Sequence, residues 1–555
     1  MTQMIHITLP DGLNKELLPG TTVQALWTGL TKEEKPVNME PVGAVLNRGI
    51  FLMVQEAIPA DGTLTWVDRR STDGYHIYRQ SVLFMLIKAC RDLFPERRLM
   101  IQHTISNGVF CEFEGMKSDA GELERLEQYM KEFVAADIPF RIFPMRAAEA
   151  AEILAQQKQE ETAAFLRMYP EKEVKLFEMD GYYEYFVYPI INQTKWLRHF
   201  HLFPYENGFV VQTPEENSGQ LEEFREQKKL QCILQEAVVW KHIAQVSNLS
   251  QLNQVIADGK ADELIRISEA LQEKRIAKIA DTICENEKVR LVLIAGPSSS
   301  GKTSFAQRLS IQLRVNGKKT MTISMDNYFV NRDQTPKDEN GEYDFENLDA
   351  LDVELFNQHL VQLLQGESVQ LPIYDFVRGE RSSSGPVVQL EPDQLLVIEG
   401  IHGLNEKLTF RVPREQKRVV YISALTELNL DDSNPILTSD ARLLRRIARD
   451  SRTRGHGVRE TIKRWPSVRR GEKKNIFAYQ ENADLFFNSE LLYELAVLKP
   501  IVAPLLASIQ QTEPEYEQAQ RLLRFLDFVL AIENPRVPYQ SLMREFIGGS
   551  WFEVE

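Results

Sequence analysis

LVLIAGPSSSGKT, at residues 291–303, is the stretch whose reading decides the fold of the C-terminal half. Leu291 to Ala295 form an uninterrupted apolar run, as a strand buried on both faces requires. The chain turns at Gly296 and closes with Gly301, Lys302 and Thr303, completing the pattern G-x-x-x-x-G-K-[ST]. Such a loop is a phosphate cradle. Its glycines let backbone N–H groups converge on an anion, the lysine reaches the terminal phosphates, and the last hydroxyl is placed for Mg²⁺. Gly296, Pro297, Ser298, Ser299, Ser300, Gly301, Lys302, Thr303 and Ser304 are therefore the candidate phosphate-contacting residues. A plain glycine-serine turn would not require the Gly-Lys-Thr ending. Downstream, Phe305, Leu309 and Leu313 recur at helical spacing, and Asn316-Gly317 stops that helix. The whole reads as a nucleoside triphosphate site between a buried strand and a helix.

The 555 residues are 43% hydrophobic and 26% charged, material for three or four globular domains. Cys90, Cys111, Cys232 and Cys284 show no paired spacing, which argues for a reducing compartment and against a disulfide framework or zinc ribbon. The opening MTQMIHITLPDG has no charged segment followed by an apolar run, and no apolar stretch is long enough to span a bilayer. A cytoplasmic location with no membrane partner is the expectation. A net charge of −15 disfavours non-specific binding along a nucleic-acid backbone.

Runs at 320–325, 395–398 and 418–425 read as further strands of the same sheet. The first leads into Asp326 and the second into Glu399-Gly400. Doubly wound sheets bind ligands at the C-terminal edge of their strands, so a carboxylate there stands beside the phosphates. The Glu399 position is where P-loop proteins keep an acidic Mg²⁺ partner.

The blocks SMDNYF (324–329), DFENLDALD (344–352), LPIYDFVRGER (371–381), IEGIHGLN (398–405) and SDARLLRRIARDSRTRG (439–455) then follow in order. In that order they resemble the uridine kinases and their phosphoribulokinase-like relatives, over roughly 288–500. The resemblance implies a kinase using Mg²⁺ and ATP (or GTP), with a domain at 286–505. Lys302 would hold the β- and γ-phosphates, while Thr303 and Glu399 would hold Mg²⁺. Asp326 would take the proton from the attacking hydroxyl and touch the metal. Of the arginines in 439–455, the resemblance assigns Arg446, Arg449 and Arg454 to a lid that closes on the phosphates, where guanidinium–phosphate forks offset developing charge. Arg442, Arg445 and Arg452 carry no such assignment; a solvated basic helix or an RNA-binding patch is the plainer reading of the run.

The acceptor side departs from that pattern. The histidine that follows YDF in uridine kinases is Gly379 here, the ribose-binding aspartate aligns with Glu346, and a base-contacting glutamine aligns with Arg464. The lid signature RGRD reads RGHG, with His456 in place of an arginine. Tyr374 and Phe376 remain to flank a flat ring, and Arg381 and Arg446 complete the expected substrate set. Glycine for histidine is expected to open room for a larger base, and Arg464 would suit a carboxylate or phosphate.

Residues 1–68 read as a small β-rich module: Ile5, Ile7 and Leu9 alternate, Asp11-Gly12 turns the chain, and 43–46 and 63–67 supply further strand-like runs. LPDG, PGTTV, PVGAVLN and DGTLTWV resemble, in order, the β-grasp-like TGS domain of threonyl-tRNA synthetases. Residues 74–230 resemble the second domain of those enzymes, from an amphipathic helix over 79–89 through LFP (93–95) to SNGVFCEFEG (106–115). The histidine pair and Cys/His pair that edit mischarged serine fall on Gln80, Phe84, Phe186 and Ile190, which neither ligate a metal nor move a proton. His199 and His201 sit two apart, on one face of an expected strand over 196–203. Two imidazoles alone make an incomplete metal site, so a structural role is expected.

Residues 231–285 read as a solvated helical connector, with Leu264, Ile267, Leu271, Ile276 and Ile279 on one face. Residues 506–555 form a tail with a helix over 518–530, to pack on the kinase core or make a subunit contact. The expected fold is thus multi-domain α/β: a P-loop kinase with a parallel sheet flanked by helices, preceded by a β-grasp-like module and an α+β synthetase-like domain. This arrangement resembles bacterial uridine kinase-like fusion proteins. The function expected from it is phosphoryl transfer to a nucleoside hydroxyl. The alternatives are a sugar or acid kinase of the phosphoribulokinase type, and an RNA- or ribosome-associated nucleotide sensor with little turnover.

Overall fold

A computed structural model describes residues 4–37, 39–47, 50–216, 218–337, 341, 343–375, 378–426, 428–533 and 535–553. In the C-terminal half, β1 (Leu291–Ala295), β2 (Thr320–Ser324), β3 (Leu395–Glu399), β4 (Lys417–Ser423) and β5 (Leu485–Asn488) form one parallel sheet in the order β2-β3-β1-β4-β5. Every residue of β1 is buried because both sheet faces are covered. Val292 and Ile294 share a core with Phe305, Leu309 and Leu313 of α1 (Lys302–Val315). Leu291, Leu293 and Ala295 join Phe356 and Leu360 of α2 (Val353–Leu364) on the opposite side. Asn316 caps α1 and Gly317 follows with φ +80°, the left-handed stop that glycine permits.

The strand expected over 320–325 ends one residue sooner, since Met325 to Tyr328 enter a tight 3-10 turn. Strand β5 had no sequence signal beyond LFFN, too short to separate from any apolar run.

At the front, five strands lie in the order Asn14–Leu17, Ile5–Thr8, Gly62–Asp68, Pro41–Leu46, Ile50–Met53, with Ile5–Thr8 and Gly62–Asp68 paired in parallel. Val42, Val45, Met53 and Val67 of this sheet share a core with the helix Thr72–Leu93. That helix is not amphipathic as expected. Its residues from Ile77 to Cys90 are buried throughout, Arg79, Gln80 and Lys88 included, because Ile101, Val109 and Cys111 of the following strands close on it as well.

A four-stranded antiparallel sheet (His201–Tyr205, Gly208–Gln212, Gly108–Phe113, Leu99–Ile105) and a three-stranded one (Tyr182–Tyr185, Glu173–Met179, Arg141–Arg146) follow. The histidine pair does not share a strand face. The strand begins at His201, behind a 3-10 turn at Thr194–Trp196, and His201 Nδ1 lies 2.8 Å from Glu127 Oε2.

The connector is not solvated along its whole length. Helix Ala261–Cys284 puts Leu264, Ile276, Ile279 and Ile283 into the core behind α1, and Arg308 of α1 pairs with its Glu273 at 2.6 Å. Ile267 and Leu271 are only half-buried there. The tail also packs inward: helix Tyr516–Leu526, shorter than the 518–530 expected, buries Ala519, Leu522 and Phe525 in that core. Among the described residues no helix is long and apolar enough to cross a membrane.

Candidate active site

The cradle begins where β1 ends. Gly296 lies so close to β4 that a Cβ on it would run into the Ile422 carbonyl, and Gly301 adopts φ +85° as it opens α1. Ser299 also holds a left-handed conformation at φ +59°. Lys302 Nζ donates back to the Pro297 carbonyl at 3.1 Å. The hydroxyls of Ser299, Ser300 and Ser304 are buried and have no hydrogen-bond partner among the described residues. Buried polar atoms without partners are costly. Two of them in the loop and one on the first turn of α1 fit an anion or hydrated cation.

Two arginines without an assigned role hold the loop from outside. Arg442 Nε donates to the Ser298 carbonyl at 3.0 Å and pairs with Glu472, whose Oε1 accepts the Ser298 N–H at 2.9 Å. Arg445 pairs with Glu494 and reaches the Ser299 carbonyl at 3.5 Å. Both side chains are fully buried, so this face of the run is framework and not a solvated basic helix. Glu472 sits in a charged segment, RRGEKKN, that carries no signal for this role.

Asp326 follows β2 and Glu399 closes β3, side by side at the sheet edge. Ser324 bridges them: its hydroxyl donates to Glu399 Oε1 at 2.7 Å and accepts the Asp326 N–H at 3.3 Å. Burial, and after it the charge of Asp326, pushes the Glu399 carboxyl well above its ordinary range. Thr303, Asp326 and Glu399 thus offer hard oxygen donors at one edge, a set that fits Mg²⁺.

The arginines set against the lid make other contacts. Arg446 reaches Ser298 Oγ with Nη1 at 2.8 Å, and Arg449 forks onto Asp450 Oδ1 at 2.7 and 3.0 Å. Arg454 ends a π-helical turn, Asp450–Arg454, that follows α3 (Thr438–Arg449). The Arg449 charge, and after it burial, lowers Arg454 to about 10, while Asp326 acts in the opposite direction. Arg446 is lowered chiefly by burial. Cationic side chains crowded together out of water would be relieved by a polyanion.

On the acceptor side, Glu346 is half-buried beneath α4 (Val458–Asn475), its Oε2 out of solvent, and a Cβ on Gly471 would strike its side chain. Loss of water around its carboxyl, and then Glu472, pushes it up to about 7, with Arg446, Lys302 and Asp326 also acting on it, so it lies within reach of their charges. Tyr374 is buried against Phe329 at 5.6 Å. Arg381 is tied to Asp352 at 2.9 Å, and Arg464 pairs with Glu460 at 2.7 Å on a half-exposed helix face. Phe376 lies outside the described residues. The expectation that Gly379 opens room is corrected. A Cβ there would lie 2.7–2.9 Å from Arg332, whose side chain fills the space, and the residue sits at φ +74°.

The description "Phosphoribulokinase / Uridine kinase family" matches residues 291–491. A uridine kinase of Bacillus pumilus (strain SAFR-032) is 32% identical over 175 residues, covering 32% of this chain and 74% of its own. A uridine kinase of Chloroflexus aurantiacus is 30% identical over 223 residues, covering 40% and 97%. A solved structure titled as a possible uridine kinase from Bacillus stearothermophilus covers 39% of this chain and 98% of its own at 22% identity, with a TM-score of 0.27, an overlap too loose to add to these.

Proposed function

We propose, from the premise that the chain belongs to the phosphoribulokinase/uridine kinase family, that it transfers the γ-phosphoryl group of ATP (or GTP) to a hydroxyl of a nucleoside. The observation that carries this reading is the meeting of Lys302, Asp326, Glu399 and the Arg446–Arg449–Arg454 group around buried serine hydroxyls that lack partners among the described residues. Binding a nucleotide alone would not call for a carboxylate such as Asp326 beside the cradle.

Phosphoryl transfer asks for positioning and charge neutralisation more than for covalent help. Lys302 leaves the Pro297 carbonyl for the β- and γ-oxygens. Thr303 and Glu399 would hold Mg²⁺, which would supply charge neutralisation at the phosphate oxygens. Asp326, fixed through Ser324, accepts the proton of the attacking hydroxyl, and Arg446, Arg449 and Arg454 meet charge developing on the transferred group. Glu346, whose carboxyl is pushed up to about 7 and so keeps part of its proton at neutral pH, is suited to hydrogen-bond an acceptor hydroxyl. A site that hydrogen-bonds its acceptor rejects analogues lacking those groups, so the changes at Gly379, Glu346 and Arg464 shift the acceptor away from simple uridine. The front modules, as TGS-like and synthetase-like domains, and a cytoplasmic location belong to the same proposal.

Steady-state turnover of Asp326→Ala tests it. A fall of about 10³-fold is expected for losing the base, and wild-type turnover on the same substrate would contradict the assigned role.

A further inference from the structure

The last segment of the chain runs into the nucleotide cradle. Leu542, Met543 and Phe546 are buried in the same core as Phe305 and Leu309, around the short helix α5 (Arg544–Ile547). A Cβ on Gly301 would run into Leu542 Cδ2, so the segment lies directly on the glycine that closes the loop. Glu545, itself buried, turns its carboxylate onto the first turn of α1, where Oε2 accepts the Ser304 N–H at 3.2 Å. The segment is pinned at both ends. Arg452 donates to the Glu545 carbonyl at 2.7 Å, and Ser541 Oγ and Tyr493 OH both reach Glu269 Oε1, at 2.5 and 2.7 Å. The Arg445 guanidinium lies 5.0 Å over the Phe546 ring.

The first amides of a helix have no acceptor within it, and in a P-loop they are the groups that take phosphate oxygens. One of them is occupied here by a carboxylate of the chain itself. The neighbouring Ser300 and Ser304 hydroxyls, both fully buried, have no partner among the described residues, so the turn is only partly satisfied by the tail.

We infer that the C-terminal segment is an internal competitor for nucleotide: Glu545 stands where an oxyanion of the donor's phosphate chain binds, and it must release the Ser304 N–H before a nucleoside triphosphate seats. This rests on reading the cradle as a nucleotide site. With the tail docked, apparent affinity is lowered by the fraction of molecules in which the amide is taken.

The test is Mg-ATP binding by calorimetry to the full-length protein and to its Glu545→Ala and Glu545→Gln variants, with thermal melting of each. Glu545→Ala is expected to tighten ATP by about tenfold, and Glu545→Gln by less, since its amide oxygen still accepts without the charge. Both variants melt below wild type without nucleotide, yet gain more from added ATP. Tyr539→Ala, at an exposed position stacked on Trp551 in the same segment, leaves the affinity unchanged. Wild-type affinity in a Glu545→Ala protein that melts lower would make Glu545 a helix cap only and overturn the inference. Weaker binding would overturn it by making Glu545 a donor contact. Absence of ATP binding in all the proteins would remove the inference together with the nucleotide site. Tightened binding without phosphoryl transfer would leave it standing and count against the kinase reading alone.

Discussion

Around Phe84, a ring from the helix Thr72–Leu93 meets Phe186 edge-on at 5.3 Å, with Ile190 in the same core and all three side chains buried. Around Lys302, buried hydroxyls lack partners among the described residues, carboxyls sit above their ordinary range and arginines crowd one another. In the proposed reading, both places hold residues that stand at positions catalytic in other enzymes. At the first, among the described residues only the Gln80 amide nitrogen of that set lacks a partner, and the Phe84, Phe186 and Ile190 side chains offer no acid, base or ligating atom. At the second, burial is paired with unmet hydrogen bonds and charge, which a folded chain tolerates where a ligand supplies the remainder.

The contrast predicts opposite signatures for single substitutions. Arg454→Ala should cut turnover by about 10³-fold, roughly 4 kcal/mol of transition-state stabilisation, while the melting temperature moves little. Arg442→Ala, in the helix that leads to Arg454, is the converse. Arg442 faces the backbone of the loop, whereas Arg446 and Arg449 pair with Asp450. Its removal leaves Glu472 buried without that partner and should cost about 3–5 kcal/mol of stability, read by urea unfolding. Phe84→Ala should leave a cavity costing about 3–5 kcal/mol by the same measurement, with turnover per folded molecule unchanged. Loss of activity out of proportion to folded protein would break the comparison, because it would give that core a functional part.

A further test concerns Glu184, buried between Tyr182 and Ser433 at 3.2 and 3.4 Å, where a front-half strand meets a loop of the kinase half. Burial, and then Asp431, pushes its carboxyl up to about 8 from an ordinary 4.5. The folded state therefore keeps a proton that the unfolded state has released. Stability from this group is fully present below the unfolded value and is lost as pH rises through the folded one. Melting temperature should decline from about pH 5 to about pH 8, and Glu184→Gln should flatten that decline. An unchanged slope would mean that the carboxyl is already ionised in the fold. The smallest effect belongs to Gly379→Ala, where positive φ and the Arg332 side chain together should cost about 1 kcal/mol, seen as a small drop in melting temperature.

The cradle was legible because its rules are local: an apolar run, glycines where the backbone turns back, a lysine and a hydroxyl opening a helix. Residues 291–303 contain all of them. What stayed hidden depends on partners far away in the chain. Glu472 meets Ser298 across 174 positions, and Glu545 meets Ser304 across 241. No spacing rule links residues so distant. The connector misled for a related reason. Charged residues on Ala261–Cys284 suggest water, yet Glu269 and Glu273 are there to receive Arg308, Ser541 and Tyr493. The room expected at Gly379 likewise depended on Arg332, well upstream in the chain.

If the cradle transfers phosphate to a small-molecule hydroxyl, ADP release from Mg-ATP tests it most directly. The purified protein would be assayed against nucleosides, then sugar alcohols, sugar phosphates and hydroxy acids, with Lys302→Ala as the blank. Acceptor-dependent ADP release, greatest with a nucleoside and lost in Lys302→Ala, is the predicted result. Tight ATP binding with no acceptor-dependent release across the whole panel would contradict it.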